Sequence, residues 1–251
     1  MRKLTVCTAL TVGVLCTSAT AARAAEIRVL ASTGIQVAVE ALKPQFEKAT
    51  GDTLSVDFST TATLRDRIEK GEAFDVAILT DDAIDALIKS GALDASTRAE
   101  LARVGIGVAY RKGAPAPKVK TAGDLKQALV NAKSVAYTGN GATRPAIEKM
   151  FDAMGIADVM KSKANLTPPA SAPAAVAQGK SDLVISLVSE FVAEPGVVTA
   201  GMLPPEYQSF ISFAAAKGAK STNAKGAEAL IKFMDSKSAD ATYKAKGMEA
   251  K

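Results

Sequence analysis

Phe58-Ser59-Thr60-Thr61-Ala62-Thr63-Leu64, a helix-patterned run to Gly71, and then Phe74-Asp75-Val76-Ala77-Ile78-Leu79 form the stretch that decides the fold. Thr53 to Phe58 alternates as a strand does, and a Ser/Thr loop follows it. Leu64 to Lys70 reads as a helix stopped by Gly71, and Phe74 to Leu79 as a buried strand. Asp81 or Asp82 caps the next helix, which runs through Leu87 and Ile88 to Gly91. Upstream the same logic holds. Glu26 to Ala31 is a strand ending in Ser32-Thr33-Gly34. A helix with Val37, Leu42 and Phe46 on one face then stops near Gly51. Strand alternating with helix predicts an α/β fold with a mainly parallel sheet flanked by helices.

Downstream, Val104-Gly105-Ile106-Gly107-Val108-Ala109-Tyr110 is a Gly-spaced apolar strand suited to passing between two lobes. Thr121 opens a helix over Ala122 to Asn131, Ser134 to Tyr137 is a strand, and a polar loop runs from Thr138 to Arg144. A helix through Met150 and Met154 ends at Gly155. A Pro/Ala-rich loop and a short helix to Gly179 precede the strand Ser181 to Leu187. Phe210 to Ala216 is read as the return strand, and Glu228 to Met234 lies on a C-terminal helix. The chain thus divides into residues 1–24, a first lobe of 25–103 plus 209–251, and a second lobe of 104–208.

The first 24 residues read as a cleavable secretory signal. Met1-Arg2-Lys3 is a positive start, Leu4 to Thr17 is apolar, and Ala22-Arg23-Ala24 offers small residues for cleavage before Ala25. Both cysteines, Cys7 and Cys16, lie inside this segment, and the chain has no histidine. The processed protein therefore has no disulfide, no cysteine nucleophile, no serine–histidine chemistry and no histidine-bound zinc. Losing Arg2, Lys3 and Arg23 leaves 28 basic against 26 acidic side chains, which is near neutral. No basic run with interleaved aromatics suggests nucleic acid.

The order of segments resembles the two-lobed type 2 periplasmic binding-protein fold, and the local text is similar to the periplasmic molybdate-binding family. Val29 to Ile35, Phe58 to Gly71, Phe74 to Ile78 with the helix to Gly91-Ala92-Leu93, and Gly247-Met248 carry the likeness. The resemblance implies a monomeric, periplasmic solute-binding component of an ABC importer. It would close two lobes on a small anion, with an ABC permease as partner and no metal or other cofactor. In that family hydroxyls and helix N-terminal N–H groups hold the ligand, because first-turn N–H groups are unpaired donors at the positive end of the helix dipole. Carried onto this chain, the ligand-binding set is Ser32, Thr33, Gly34, Thr60, Thr61, Ala62, Thr143, Arg144 and Ser186. Each Ser or Thr before a helix has a plainer reading as an ordinary N-cap.

Departures from the family pattern bear on the ligand. The family's first-loop serine falls on Gly34, and its second-loop serine on Thr61. Its Pro-Ala-Gly loop falls on Gly141-Ala142-Thr143-Arg144, its tyrosine on Ser186, and its acidic residue loosely on Glu190. Arg144 suits a bidentate carboxylate, which leaves a carboxylate or a molybdate-like oxyanion as ligand. The variant subgroup that this pattern resembles includes periplasmic aconitate isomerases. That opens an alternative, a cofactor-independent isomerase of an unsaturated tricarboxylate. Glu190, Tyr137 or Asp182 would serve as base and Arg144 as clamp, since a desolvated carboxyl gains basicity.

Overall fold

The computed structural model describes residues 25–251; the proposed signal segment, with both cysteines, lies outside the described residues. Two sheets of the same topology share one strand. β1 (Glu26–Ser32) leads through a 3-10 turn, Thr33–Ile35, into α1 (Gln36–Thr50), then β2 (Thr53–Ser59), α2 (Thr61–Glu69), β3 (Val76–Thr80) and α3 (Asp81–Lys89). β4 (Ala99–Arg111) is the shared strand. The second sheet continues with α4 (Ala122–Asn131), β5 (Val135–Thr138), α5 (Arg144–Ala153), α6 (Ala157–Lys163), β6 (Ala164–Thr167), α7 (Ala172–Ala177) and β7 (Leu183–Leu187). After these come α8 (Val188–Val192), β8 (Val197–Met202), β9 (Phe210–Lys217), α9 (Ala224–Met234), α10 (Lys237–Ala245) and β10 (Glu249–Ala250).

In the first sheet β1 pairs in parallel with β2 and β3, and β9 closes it antiparallel to β3. In the second, β5 pairs in parallel with β6 and β7, and β4 closes it antiparallel to β7. The strand orders β2-β1-β3-β9 and β6-β5-β7-β4 are therefore equivalent. β4 joins them by changing partners: Ala99 to Gly105 pair with β9, and Ile106 to Arg111 with β7 and β8. The Gly-spaced strand expected to link the lobes is this one, although it starts at Ala99 rather than Val104. Its Gly107 is required by close approach, because a Cβ there would stand 2.8 Å from the Gly201 carbonyl oxygen.

Several elements escape the sequence reading. β6 and β8 are short strands with exposed positions, which gives them weak alternation. α10 has a polar surface and only Ala239 and Tyr243 buried, so its apolar face is too thin to stand out. Its cap does follow the rule: Ser236 accepts from the Ala239 N–H. α2 begins at Thr61, three residues before the expected Leu64, which makes the hydroxyl loop part of the helix start. No described helix is long and apolar enough to cross a membrane.

Candidate functional site

In open α/β sheets ligands gather beyond the carboxyl ends of the strands, where neighbouring connections run in opposite directions. β1 lies between β2 and β3, and β5 between β6 and β7, so each sheet has one such point. The two points face each other across a small chamber. Its walls come from Ser32, Thr33 and Gly34 after β1, Thr60 and Thr61 after β2, and Thr138 and Gly141 to Thr143 after β5. Ser186, Leu187 and Glu190 follow from β7 and α8, and Phe213 from β9. The chamber measures about 20 Å³, room for roughly one water. Contacts between the halves flank it. The Ser189 hydroxyl donates to the Gly34 carbonyl at 2.8 Å in a buried position, and Asn140 Nδ2 donates to Thr63 Oγ1 at 3.1 Å in an exposed one.

Seven of the nine expected ligand-binding positions line this chamber: Ser32, Thr33, Gly34, Thr60, Thr61, Thr143 and Ser186. The capping question resolves residue by residue. Thr60 is a cap, since its side chain accepts from Thr63 N–H. Ser32 and Thr143 hold N-cap positions, yet neither side chain makes a capping bond, and both residues are buried. Thr61 Oγ1 sits 3.4 Å from the Thr80 N–H, a weak bond that leaves the hydroxyl able to serve a ligand. Thr138 and Phe213 are chamber residues that sequence reasoning missed. Thr138 could have been found as the hydroxyl ending a strand before a polar loop. No local signal separates Phe213 from other core aromatics.

Ala62 and Arg144 lie elsewhere. They line an open groove of about 670 Å³ that shares Thr61, Gly141 and Ala142 with the chamber and also borders Arg65, Asp81 and Phe210. Arg144 is engaged within its own loop and helix. Its Nε donates to Glu148 Oε1 at 2.8 Å, and Nη1 donates to the Gly139 carbonyl. The guanidinium therefore shapes the 139–144 loop and stands over the groove rather than in the chamber. Being on the first turn of α5, it pairs with the residue one turn later.

The three expected base candidates separate clearly. Tyr137 packs edge-on against Phe151 and borders a different pocket, with Glu148 and Met160. Burial first, and then Glu148, push its phenol up from the ordinary value, which opposes ionisation. Asp182 is exposed and accepts from Lys133 N–H, away from the chamber. Glu190 alone lines the chamber. It retains some accessible surface, but the enclosing walls withdraw its carboxyl from bulk water, and burial pushes its pKa up from the ordinary carboxylate value. The Ser186 hydroxyl donates to Oε2 and offsets part of that rise.

Gly34 explains the missing serine of the molybdate-binding pattern. A Cβ at this position would stand 2.6 Å from Leu187 Cδ1 and 2.6 Å from Phe213 Cζ. Leu187 belongs to the opposite sheet, so the glycine permits close approach of the two halves. Gly34→Ala is expected to lower stability by roughly 1–3 kcal/mol through overpacking, read by denaturant titration. An unchanged midpoint would mean that the halves do not meet here in solution.

Known proteins place this architecture. The chain is 29% identical over 228 residues to an aconitate isomerase of a Pseudomonas species, covering 89% of this chain and 87% of the relative. The periplasmic molybdate-binding protein of Azotobacter vinelandii superposes with a TM-score of 0.77 at 18% identity, over 88% of this chain and 98% of that one. The sulfate-binding protein SubI of Mycobacterium tuberculosis gives 0.70 at 18% identity, over 89% and 86%. At such identities the two structures establish the two-lobed periplasmic binding-protein fold. Residues 27–249 match a family model throughout, and the chain belongs to the bacterial extracellular solute-binding proteins.

Proposed function

We propose that this chain is an exported periplasmic solute-binding protein that holds one small anion in the chamber between its lobes and delivers it to an ABC permease. In this reading residues 1–24 are removed on export. Lobe 1 (25–103 and 209–251) and lobe 2 (104–208) then open and close on β4 as a monomer. The observation that carries the reading is the convergence of Ser32, Thr61, Thr138 and Thr143 on one chamber whose wall, among the described residues, has no lysine or arginine. Hydroxyl and backbone donors hold an anion without a counter-charge when they are preorganised. The chamber's small size supports a hinge, because any oxyanion larger than water requires the lobes to part first. The molybdate- and sulfate-binding proteins of the same fold favour oxyanions as the ligand class.

The test is calorimetry with sulfate, molybdate, tungstate, citrate and both aconitate isomers. Thr61→Val is expected to weaken the binding anion about 5- to 150-fold, since removing one donor to a buried anion costs roughly 1–3 kcal/mol. Equal affinity of the variant and the parent protein would remove the chamber as the site.

Glu190 and the Pseudomonas relative favour a second reading, a cofactor-independent isomerase of an unsaturated tricarboxylate. A carboxyl with raised pKa is suited to take a proton from an activated methylene and return it elsewhere on the allylic system. The open groove beside the chamber, with Arg65 and Arg144 on its border, would take the remaining carboxylates. Proton NMR of the purified protein with cis- or trans-aconitate separates the readings: interconversion identifies an enzyme, and binding without turnover a carrier.

A further inference from the structure

Glu190 is an anomaly for an anion site. Among the described residues it is the one carboxylate in the chamber wall, and the other side chains there are hydroxyls, an alanine methyl, Leu187 and Phe213. The groups facing it come from the β1, β2, β5 and β7 ends and from β9, and no other charged or titratable side chain is among them. Arg144, the next residue along from Thr143, is turned to Glu148 and the Gly139 carbonyl. Among the described residues the one hydrogen bond to the Glu190 carboxylate is from Ser186, to Oε2, so Oε1 has no donor there while the residue lines the same chamber as the hydroxyls. An ionised carboxylate in that place repels a fully deprotonated anion, and nothing nearby neutralises it.

We propose that Glu190 makes the chamber selective for the proton content of its ligand: it binds an anion only with one proton shared between a ligand oxygen and the Glu190 carboxyl. The inference rests on the chamber being the anion site and adds a rule for the ligand class. A ligand that brings its own acidic O–H, such as hydrogen phosphate or a half-ionised di- or tricarboxylic acid, donates that hydrogen to ionised Glu190. A ligand without one, such as sulfate or molybdate, binds only when the carboxyl itself carries the proton and donates it. In both cases the complex holds one proton more than the ionised site plus a fully deprotonated anion. Because burial raises the carboxyl pKa, the protonated form persists to higher pH than it would in an ordinary glutamate.

The signs follow. Below the Glu190 pKa, sulfate binds without taking up a proton. Above it, each sulfate bound draws one proton from solvent, and its affinity falls about tenfold per pH unit. Phosphate escapes much of that loss, so the phosphate-to-sulfate preference rises with pH. The experiment is calorimetry of the full processed protein with sulfate, molybdate and inorganic phosphate from about pH 5 to about pH 9, in buffers of different ionisation enthalpy that count protons directly. Glu190→Gln is neutral throughout, and it is expected to bind sulfate at high pH more tightly than the parent protein, with no proton uptake. Ser186→Ala removes the bond that lowers the Glu190 pKa, and it is expected to carry sulfate binding to higher pH. Sulfate or molybdate affinity in the parent protein that is flat with pH, with no proton uptake, overturns the proposal and leaves the chamber assignment standing. If Thr61→Val also leaves that flat affinity unchanged, the chamber assignment falls too. Failure of all three probes to bind either protein overturns the proposal, and the chamber assignment falls with it if citrate and both aconitates also fail to bind.

Discussion

Phe213→Ala is expected to lower stability by roughly 3–5 kcal/mol and to weaken anion binding in the same variant. Phe213 is 1% exposed and sits in the core of the first sheet, on β9 opposite Thr80 and Ala102. Its ring also walls the chamber and occupies the space in front of Gly34. Removal leaves a cavity beside a polar chamber, where it would admit water and loosen the hydroxyls that have to stay fixed. For a chain of this length each kcal/mol corresponds to about 2–4 °C, so the melting temperature should fall by roughly 6–20 °C. Calorimetry below the variant's transition separates the two effects, because binding by the folded fraction is read there. Parent-like affinity would mean that the ring supports the fold but not the chamber.

Asp75→Ala is expected to cost roughly 2–4 kcal/mol of stability while leaving affinity unchanged. Asp75 is 4% exposed. Its carboxylate accepts from Arg28 N–H at 2.9 Å, Ser221 Oγ at 2.7 Å and Asn223 N–H at 3.3 Å. One side chain therefore ties β1, the entrance to β3 and the connection from β9 to α9, and its loss leaves these donors without an acceptor. The tie lies near the start of β1, whereas the chamber lies beyond its end. Denaturant unfolding together with ligand titration checks both halves of the expectation. A large affinity loss with an unchanged denaturation midpoint would reverse the assignment. The same observation gives a reason for the Phe74-Asp75-Val76 text that carried the family resemblance: the aspartate is a structural acceptor immediately before the buried strand β3.

Arg144 and Glu190 exchanged importance once the chain was folded. Arg144 stood out as a cation in a loop before a helix, but the guanidinium's nearest partners are local, one turn ahead and five residues back. Glu190 stood in the sequence as one of three candidate bases, with no local feature to separate it from Tyr137 and Asp182. It is distinguished only by what encloses it, and those walls come from positions as distant in sequence as Ser32 and Phe213.

The sequence by itself determined the alternation of strands and helices, the glycine stops, the apolar faces of α1 and α3, and the Ser/Thr loops at the strand ends. These are properties of contiguous residues: strand and helix periodicities and capping chemistry act over a few positions. It also determined the absence of histidine and the confinement of both cysteines to residues 1–24, and with the first the loss of whole classes of chemistry. Only the tertiary structure decided which hydroxyls meet. Tyr137 and Thr138 are neighbours on β5, yet one packs on Phe151 and the other lines the chamber, since successive strand residues face opposite ways. Gly34 and Ser189, 155 residues apart, are joined by a hydrogen bond that exists only because β4 belongs to both sheets and brings the two halves together. Local pattern records what each segment forms. Convergence of segments from two sheets depends on packing between residues that share no window of sequence, and the chamber is made entirely of such convergence.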